Sequence, residues 1–214
     1  MDYQKIYNQD YFQGKNSFFY ALGYGRFAGL FYCHTFAQIK KYVKKIKKGK
    51  VLDIGCAYGF MLKKFPSSWQ KFGLDVSDYA LTQAQKKLPQ ATFINAGAED
   101  KPPFKKNFFD FILLTDVLEH LENPELALKN AYQLLKRGGL LYLTTPNLNW
   151  LRKKVFSYPD QIEHHISLFS HQQLKNLLKD LGFQIVDHWT FIVLLFYLKF
   201  KTNFGLESAF IVKK

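Results

Sequence analysis

The stretch VLDIGCAYGF, Val51–Phe60, limits what this chain can become more than any other. An apolar run closes on Asp53, and Gly55 and Gly59 follow four residues apart. A short apolar run bounded by glycine reads as a buried strand, and the residues after it read as a tight turn entering a helix. Glycine at such a turn lets the backbone bend sharply and approach a ligand closely. Downstream the pattern repeats. Apolar strands are expected at 72–76, 92–95, 109–115 and 140–144, then in FQIVDHWTF and SAFIVKK. Helices are expected at 37–48, 60–65, 79–88, 124–135 and 172–181, with Gly138-Gly139 ending the fourth of them. Strands alternating with helices imply an α/β chain with a doubly wound, mostly parallel sheet of seven strands and helices on both faces. The last strand lacks a strong helix before it and is expected to run antiparallel.

In such a fold the loop after the first strand is the default ligand site. A dinucleotide needs G-x-G-x-x-G, so that pyrophosphate can rest on bare backbone. Here Ala57 stands at the middle position, and the Asp53 carboxylate would repel a pyrophosphate. The same charge suits S-adenosylmethionine, which carries a sulfonium and an ammonium and no phosphate. Asp75, twenty residues after Gly55, stands where a carboxylate accepts ribose hydroxyls, or else where one caps the next helix.

With these residues in view, the chain resembles the class I S-adenosylmethionine-dependent methyltransferases, in their small-molecule branch, and in particular ubiquinone-biosynthesis-type O-methyltransferases. VLDIGCAYG resembles the first motif and FGLDVSDYALTQAQ the second. AEDKPPFKKNFFDFILLTDVLEHLENP resembles the third and fourth, LLKRGGLLYLTTPN the strand-five segment, and EHHISLFSHQQLKNLLKDLGFQIV the tail. The likeness covers about residues 50–188. Ala57 departs from the motif's middle glycine, and Gly97 stands where an aspartate commonly precedes the Ala-Glu pair.

The resemblance implies a Rossmann-like methyltransferase that uses S-adenosyl-L-methionine and releases S-adenosyl-L-homocysteine. It assigns the methionine end and loop to Asp53, Gly55, Cys56, Ala57, Tyr58 and Gly59, the ribose to Asp75, and the adenine to Val76, Ala98 and Glu99. Thr115 and Asp116 follow the fourth strand, near the methionine end. Cys56 reads as packing, since no partner base accompanies it. If DVLEH is helical, Asp116, Glu119 and His120 share one face and are weak metal candidates. His165 matches an H-x-x-x-F-[ST] element, and with His164 it is a candidate general base. The other reading of His165 is a residue that orders its loop.

The [DNS]-P-P-[YF] element of amino-directed DNA enzymes is missing, so a small-molecule, lipid-linked or sugar-linked acceptor is expected, and the resemblance implies O-methylation. A non-catalytic module that binds S-adenosylmethionine, or a basic nucleic-acid-binding protein or RNA methyltransferase, are the alternatives. Net charge is +13, with seven lysines in KKYVKKIKKGK at 40–50. That run reads as a solvated face or as attraction to an anionic partner, such as a membrane surface. Residues 1–36, rich in Tyr11, Phe12, Phe18, Phe19 and Tyr20, are expected to form a lid or cap, and 37–214 the methyltransferase domain. The apolar FIVLLFYLKF reads as interior, with Lys199 and Lys201 at its rim, or as a membrane contact. Two cysteines, Cys33 and Cys56, and no apolar N-terminal run fit a cytoplasmic setting.

Overall fold

The computed structural model describes residues 3–15, 17, 24–192 and 198–214, the side chains of 25–31 excepted. Phe18, Phe19, Tyr20 and residues 193–197 of the apolar run lie outside it. The chain divides into two compact units, Met1–Ala98 and Glu99–Lys214. The boundary expected at 36/37 falls inside a helix, α3, Tyr24–Val43.

In the first unit, β1 (Lys50–Ile54), β2 (Gln70–Asp75) and β3 (Thr92–Asn95) lie in the order β3-β2-β1, all parallel. Val51 and Leu52 are fully buried and Ile54 nearly so. That burial is why a continuous apolar run, rather than an alternating one, marks the strand. Gly59, left-handed at φ 71°, starts α4 (Phe60–Lys64), and Ser77 caps α5 (Asp78–Lys87) by accepting the Ala80 N–H. Two short N-terminal helices, α1 (Tyr3–Ile6) and α2 (Gln9–Phe12), precede α3. Ile39, Tyr42 and Val43 of α3 are buried, while Lys40, Lys41, Lys44, Lys45, Lys47 and Lys48 are exposed.

The second unit orders its strands β4-β5-β8-β6-β7. β4 (Phe109–Thr115) and β5 (Leu135–Pro146) are parallel, while β8 (Glu207–Lys213) runs antiparallel to both β5 and β6 (Gln184–Ile192). The strand expected to be last is therefore antiparallel. An eighth strand, β7 (Leu198–Phe200), pairs antiparallel with β6. It is three residues long and carries no alternation, which hides it from a sequence reading. Gly138-Gly139 is not a helix stop. The helix α6 (Pro124–Leu134) gives way directly to β5, and the glycines sit within that strand, with Gly138 at φ 78° and its N–H donated to the Lys214 carbonyl. The pairing of β4 with β5 shifts register beside them, as in a β-bulge.

Between β5 and the long amphipathic helix α9 (His171–Asp180) lie two short helices that the sequence did not announce, α7 (Trp150–Val155) and α8 (Ser157–Ile162). Asn147 and Asn149 donate from their side-chain amides to the Gly205 carbonyl at 2.7 and 2.8 Å, tying this segment to the approach to β8. Lys199 lies over the Trp189 ring, and Lys201 pairs with Asp187. No helix among the described residues is long and apolar enough to cross a membrane.

Candidate active site

The first unit gathers the loop residues around two buried carboxylates. Asp75, at the end of β2, accepts the Ala57 N–H at 2.8 Å on Oδ2 and the Ser77 N–H at 2.9 Å on Oδ1. The helix cap is Ser77 itself, so Asp75 clamps the glycine loop to the strand end and does not cap the helix. A carboxylate oxygen can accept more than one hydrogen bond, the feature that binding a pair of ribose hydroxyls requires. Ala57 is held at φ 43°, a region a residue with a Cβ rarely adopts. Gly55 at φ 73° and Gly59 at φ 71° turn the chain on either side of it.

Asp53 is buried on β1, and among the described residues its Oδ1 has no hydrogen-bond partner. Burial, reinforced by the charge of Asp75, pushes its carboxyl well above the usual range. A buried carboxylate without a partner is costly, and a cationic group would relieve that cost. The ammonium of S-adenosylmethionine is such a group, so the loop fits that cofactor, and the crowding of acid beside it disfavours a pyrophosphate.

Cys56 is buried, its thiol raised well above its ordinary value by burial and then by Asp75 and Asp53, which leaves it unreactive. Its Sγ and the Phe93 ring occupy the space over Gly73, where a Cβ would meet them at 2.7 and 2.6 Å. Val76 and Ala98 are half-buried, Ala98 being the last residue of this unit.

The N-terminal aromatics pack on the same loop. Phe12 stacks on Tyr58 with centroids 5.2 Å apart, and Tyr24 meets Tyr58 edge-on at 5.0 Å. Tyr11, Phe12, Tyr24, Ala57 and Ala80 form one buried cluster. In the described residues, this segment packs against the cofactor loop and α5.

The second unit holds a set of buried acids and histidines. Thr115 ends β4, and Asp116 follows it in the left-handed region at φ 54°. Asp116 is raised by burial, against the opposing pull of the Thr144 hydroxyl, which donates to it at 2.9 Å, and of His165 and Arg152. DVLEH is not an α-helix: only Leu118–His120 form one 3₁₀ turn, so the face expected to join Asp116, Glu119 and His120 does not exist. The structure groups Glu119 and His120 with His165 instead, one donor atom from each lying within 4.8 Å of the others. Glu119 is raised well above its ordinary value by burial and by Asp116, and its Oε2 accepts from Thr145 at 2.9 Å. His120 is pushed down to about 3 by burial and by the charge of His165. Glu99 accepts the N–H of Asn123, at the start of α6.

The two neighbouring histidines differ. His164 is exposed, in the left-handed region at φ 57°. The His165 side chain is turned inward, 6% exposed, with Nδ1 2.8 Å from Asp160 Oδ1. Asp160, on α8, also accepts from Arg152 through Nε at 3.1 Å and Nη2 at 2.5 Å. Burial would raise Asp160, but the hydrogen bonds from His165 and Arg152 hold it below the usual carboxylate range. Arg152 is itself buried and reaches Glu207 on β8 at 3.0 Å. Burial lifts Glu207 to about 8, against the pull of Arg152.

Asp160, Arg152 and Glu207 escaped the sequence reading. Arg152 hides in the basic run LRKK, and Glu207 lies 55 residues from it. Asp160 had a local signal, an acid five residues before a candidate base.

The sequence pattern of the family described as "Methyltransferase domain" matches residues 24–188. A ubiquinone/menaquinone biosynthesis C-methyltransferase of Campylobacter jejuni is 26% identical over 199 residues, 77% of this chain and 78% of its own length. A ubiquinone biosynthesis O-methyltransferase of Coxiella burnetii is 32% identical over 108 residues, 48% of this chain and 46% of its own. Among solved structures, a SAM-dependent methyltransferase of Thermotoga maritima superimposes with a TM-score of 0.68 at 21% identity, over 95% of this chain and 99% of that one. The architecture is thus the Rossmann-like α/β fold of methyltransferases. The chain belongs to the methyltransferase-domain family, and it is an S-adenosylmethionine-dependent methyltransferase.

Proposed function

We propose that the enzyme methylates a hydroxyl oxygen of a small or lipid- or sugar-linked acceptor. The observation that carries this reading is the inward-turned His165, an imidazole set beside the buried Asp160 and Glu119. The cofactor supplies an electrophilic methyl group on a sulfonium, so the protein need only bind, orient and deprotonate. Asp53 receives the ammonium, Asp75 the ribose hydroxyls, and the Gly55–Gly59 backbone the methionine portion. His165 takes the proton of the acceptor hydroxyl as the oxygen–methyl bond forms. The carbon–sulfur bond breaks, its electron pair stays on sulfur as a neutral thioether, and the proton leaves His165 to water. The C. burnetii relative's name supports an oxygen acceptor. That of the C. jejuni relative favours a carbon acceptor as the second reading.

A screen with isotopically labelled S-adenosylmethionine against hydroxylated quinols, sugars and lipids tests the proposal. Methyl ethers are the expected products, with S-adenosylhomocysteine binding in calorimetry and NAD giving no heat. Carbon-methylated products alone would overturn the oxygen reading, and NAD binding without any response to S-adenosylhomocysteine would overturn the cofactor assignment as well.

A further inference from the structure

We infer that Asp160 is a positioning residue: with Arg152 it holds His165 as the Nδ1–H tautomer, so that Nε2 is the basic atom. The inference rests on the hydroxyl-acceptor reading above and says which nitrogen does the work and what fixes it. A neutral imidazole carries one N–H and one lone pair, and the partner of one nitrogen determines the other. Nδ1 lies 2.8 Å from a carboxylate oxygen, which can only accept while ionised, so Nδ1 carries the hydrogen and Nε2 the lone pair. The ring is further held because the His165 backbone N–H donates to the Asp160 carbonyl at 2.9 Å.

Asp160 must stay ionised and fixed for this to work, and the fold provides both. The Arg152 guanidinium donates to each of its oxygens, the forked pairing that fixes a carboxylate in one plane. Arg152 is fixed in turn. Asn149 caps its helix by accepting the Arg152 N–H at 2.9 Å, and Nη1 reaches the Leu206 carbonyl at 3.1 Å and Glu207 at 3.0 Å. The short helices α7 and α8 place Arg152 and Asp160 eight residues apart. Without these helices the base would have no orienting partner.

Two measurements test the inference. The first needs no variant: nitrogen-15 NMR of the imidazole of His165, identified by its absence in His165→Asn. The expected signature is a protonated Nδ1 and an unprotonated Nε2 in the neutral ring, and an Nε2–H tautomer would overturn the inference. The second is a double-mutant cycle on a methyl-accepting hydroxyl compound from the screen. Asp160→Ala takes away the oxygen that accepts from His165 Nδ1, which Asp160→Asn would not, since an amide oxygen at that position still accepts from Nδ1 and from Nη2 while the amide nitrogen faces Nε. Asp160→Ala should lower kcat by roughly 10²–10⁴-fold, with the KM for S-adenosylmethionine nearly constant. In the His165→Asn background the same change should cost little more, since it acts through His165. Costs that add would make Asp160 a residue of the fold only, and so would an unchanged tautomer in Asp160→Ala. Loss of activity to a chelator, with recovery on adding zinc or manganese, would make Nε2 a metal ligand and overturn the base role. A correct tautomer with carbon-only products would sink the hydroxyl reading and leave the orienting contact standing.

Discussion

Asp75 commits one oxygen to the backbone of the glycine loop and the other to Ser77 beyond its own strand, and this changes what its removal should do. Asp75→Ala removes acceptors from the Ala57 and Ser77 N–H groups as well as from the ribose. Affinity for S-adenosylhomocysteine should fall by about 1–3 kcal/mol, the scale of hydrogen bonds to a charged group. Part of that loss comes from loosening Ala57, whose φ of 43° the Asp75 bond helps to hold. Calorimetry on the folded variant checks it, and unchanged affinity would mean that Asp75 neither holds the ribose nor shapes the loop for the cofactor. At this scale the cofactor loop was legible, because Asp53, Gly55, Gly59 and Asp75 belong to a strand–turn–helix and to the next strand end. The environment of His165 was not. Its carboxylate is fixed by Arg152, and Arg152 by the distant Glu207, a chain of contacts that no local spacing announces.

Among the elements, regular helices with clear stops were legible: α5 before Pro89, α6 from Pro124, and α9 with its Ser170–Gln173 capping box. Glycines misled where they serve a strand. Gly138 and Gly139 looked like a helix end and are instead part of β5. Gly205 is a sharper case, since it sits where β6 and the loop before β8 press backbone to backbone. A Cβ there would meet the Phe191 nitrogen at 2.3 Å and the Thr190 carbonyl carbon at 2.7 Å. Backbone cannot swing aside as a side chain can, so Gly205→Ala should destabilise at the upper end of the roughly 1–3 kcal/mol typical of overpacking. Gly138→Ala meets nothing within 4 Å, but its φ of 78° is left-handed, so it should cost only about 1 kcal/mol. Denaturant midpoints of the two variants check the ranking, and equal stability for Gly205→Ala would show that the loop yields.

For the whole molecule, the excess of 13 positive charges was plain in the sequence, and its lysines at 40–48 are solvent-exposed, as a bland surface run would be. What composition could not show is the opposing set of buried ionisable groups. Asp53, Asp75, Asp116, Glu119 and Glu207 are raised by burial, so they favour the folded state at low pH and weaken it as pH climbs, through about 8 for Glu207. Buried histidines act in the other sense. His171 is lowered to about 4, by burial first and then by His188, Lys175 and Lys201. Its Nε2 lies 3.0 Å from His188 Nδ1, and Lys175 lies 2.9 Å from His188 Nε2. A depressed folded value means that the unfolded chain binds the proton first. The stability His171 contributes is therefore complete above its unfolded value of about 6.5 and is lost as pH falls from there toward 4. His171→Gln removes this titration and leaves the acids unchanged. The difference in unfolding free energy between wild type and His171→Gln should thus shrink by up to roughly 2 kcal/mol between pH 7.5 and pH 5, since each pKa unit is worth about 1.36 kcal/mol. Urea titrations of both proteins at the two pH values give that difference directly. A gap that stays constant would mean that His171 takes a proton as readily in the fold as outside it, and that the Lys175–His188–His171 row has no effect on acid stability.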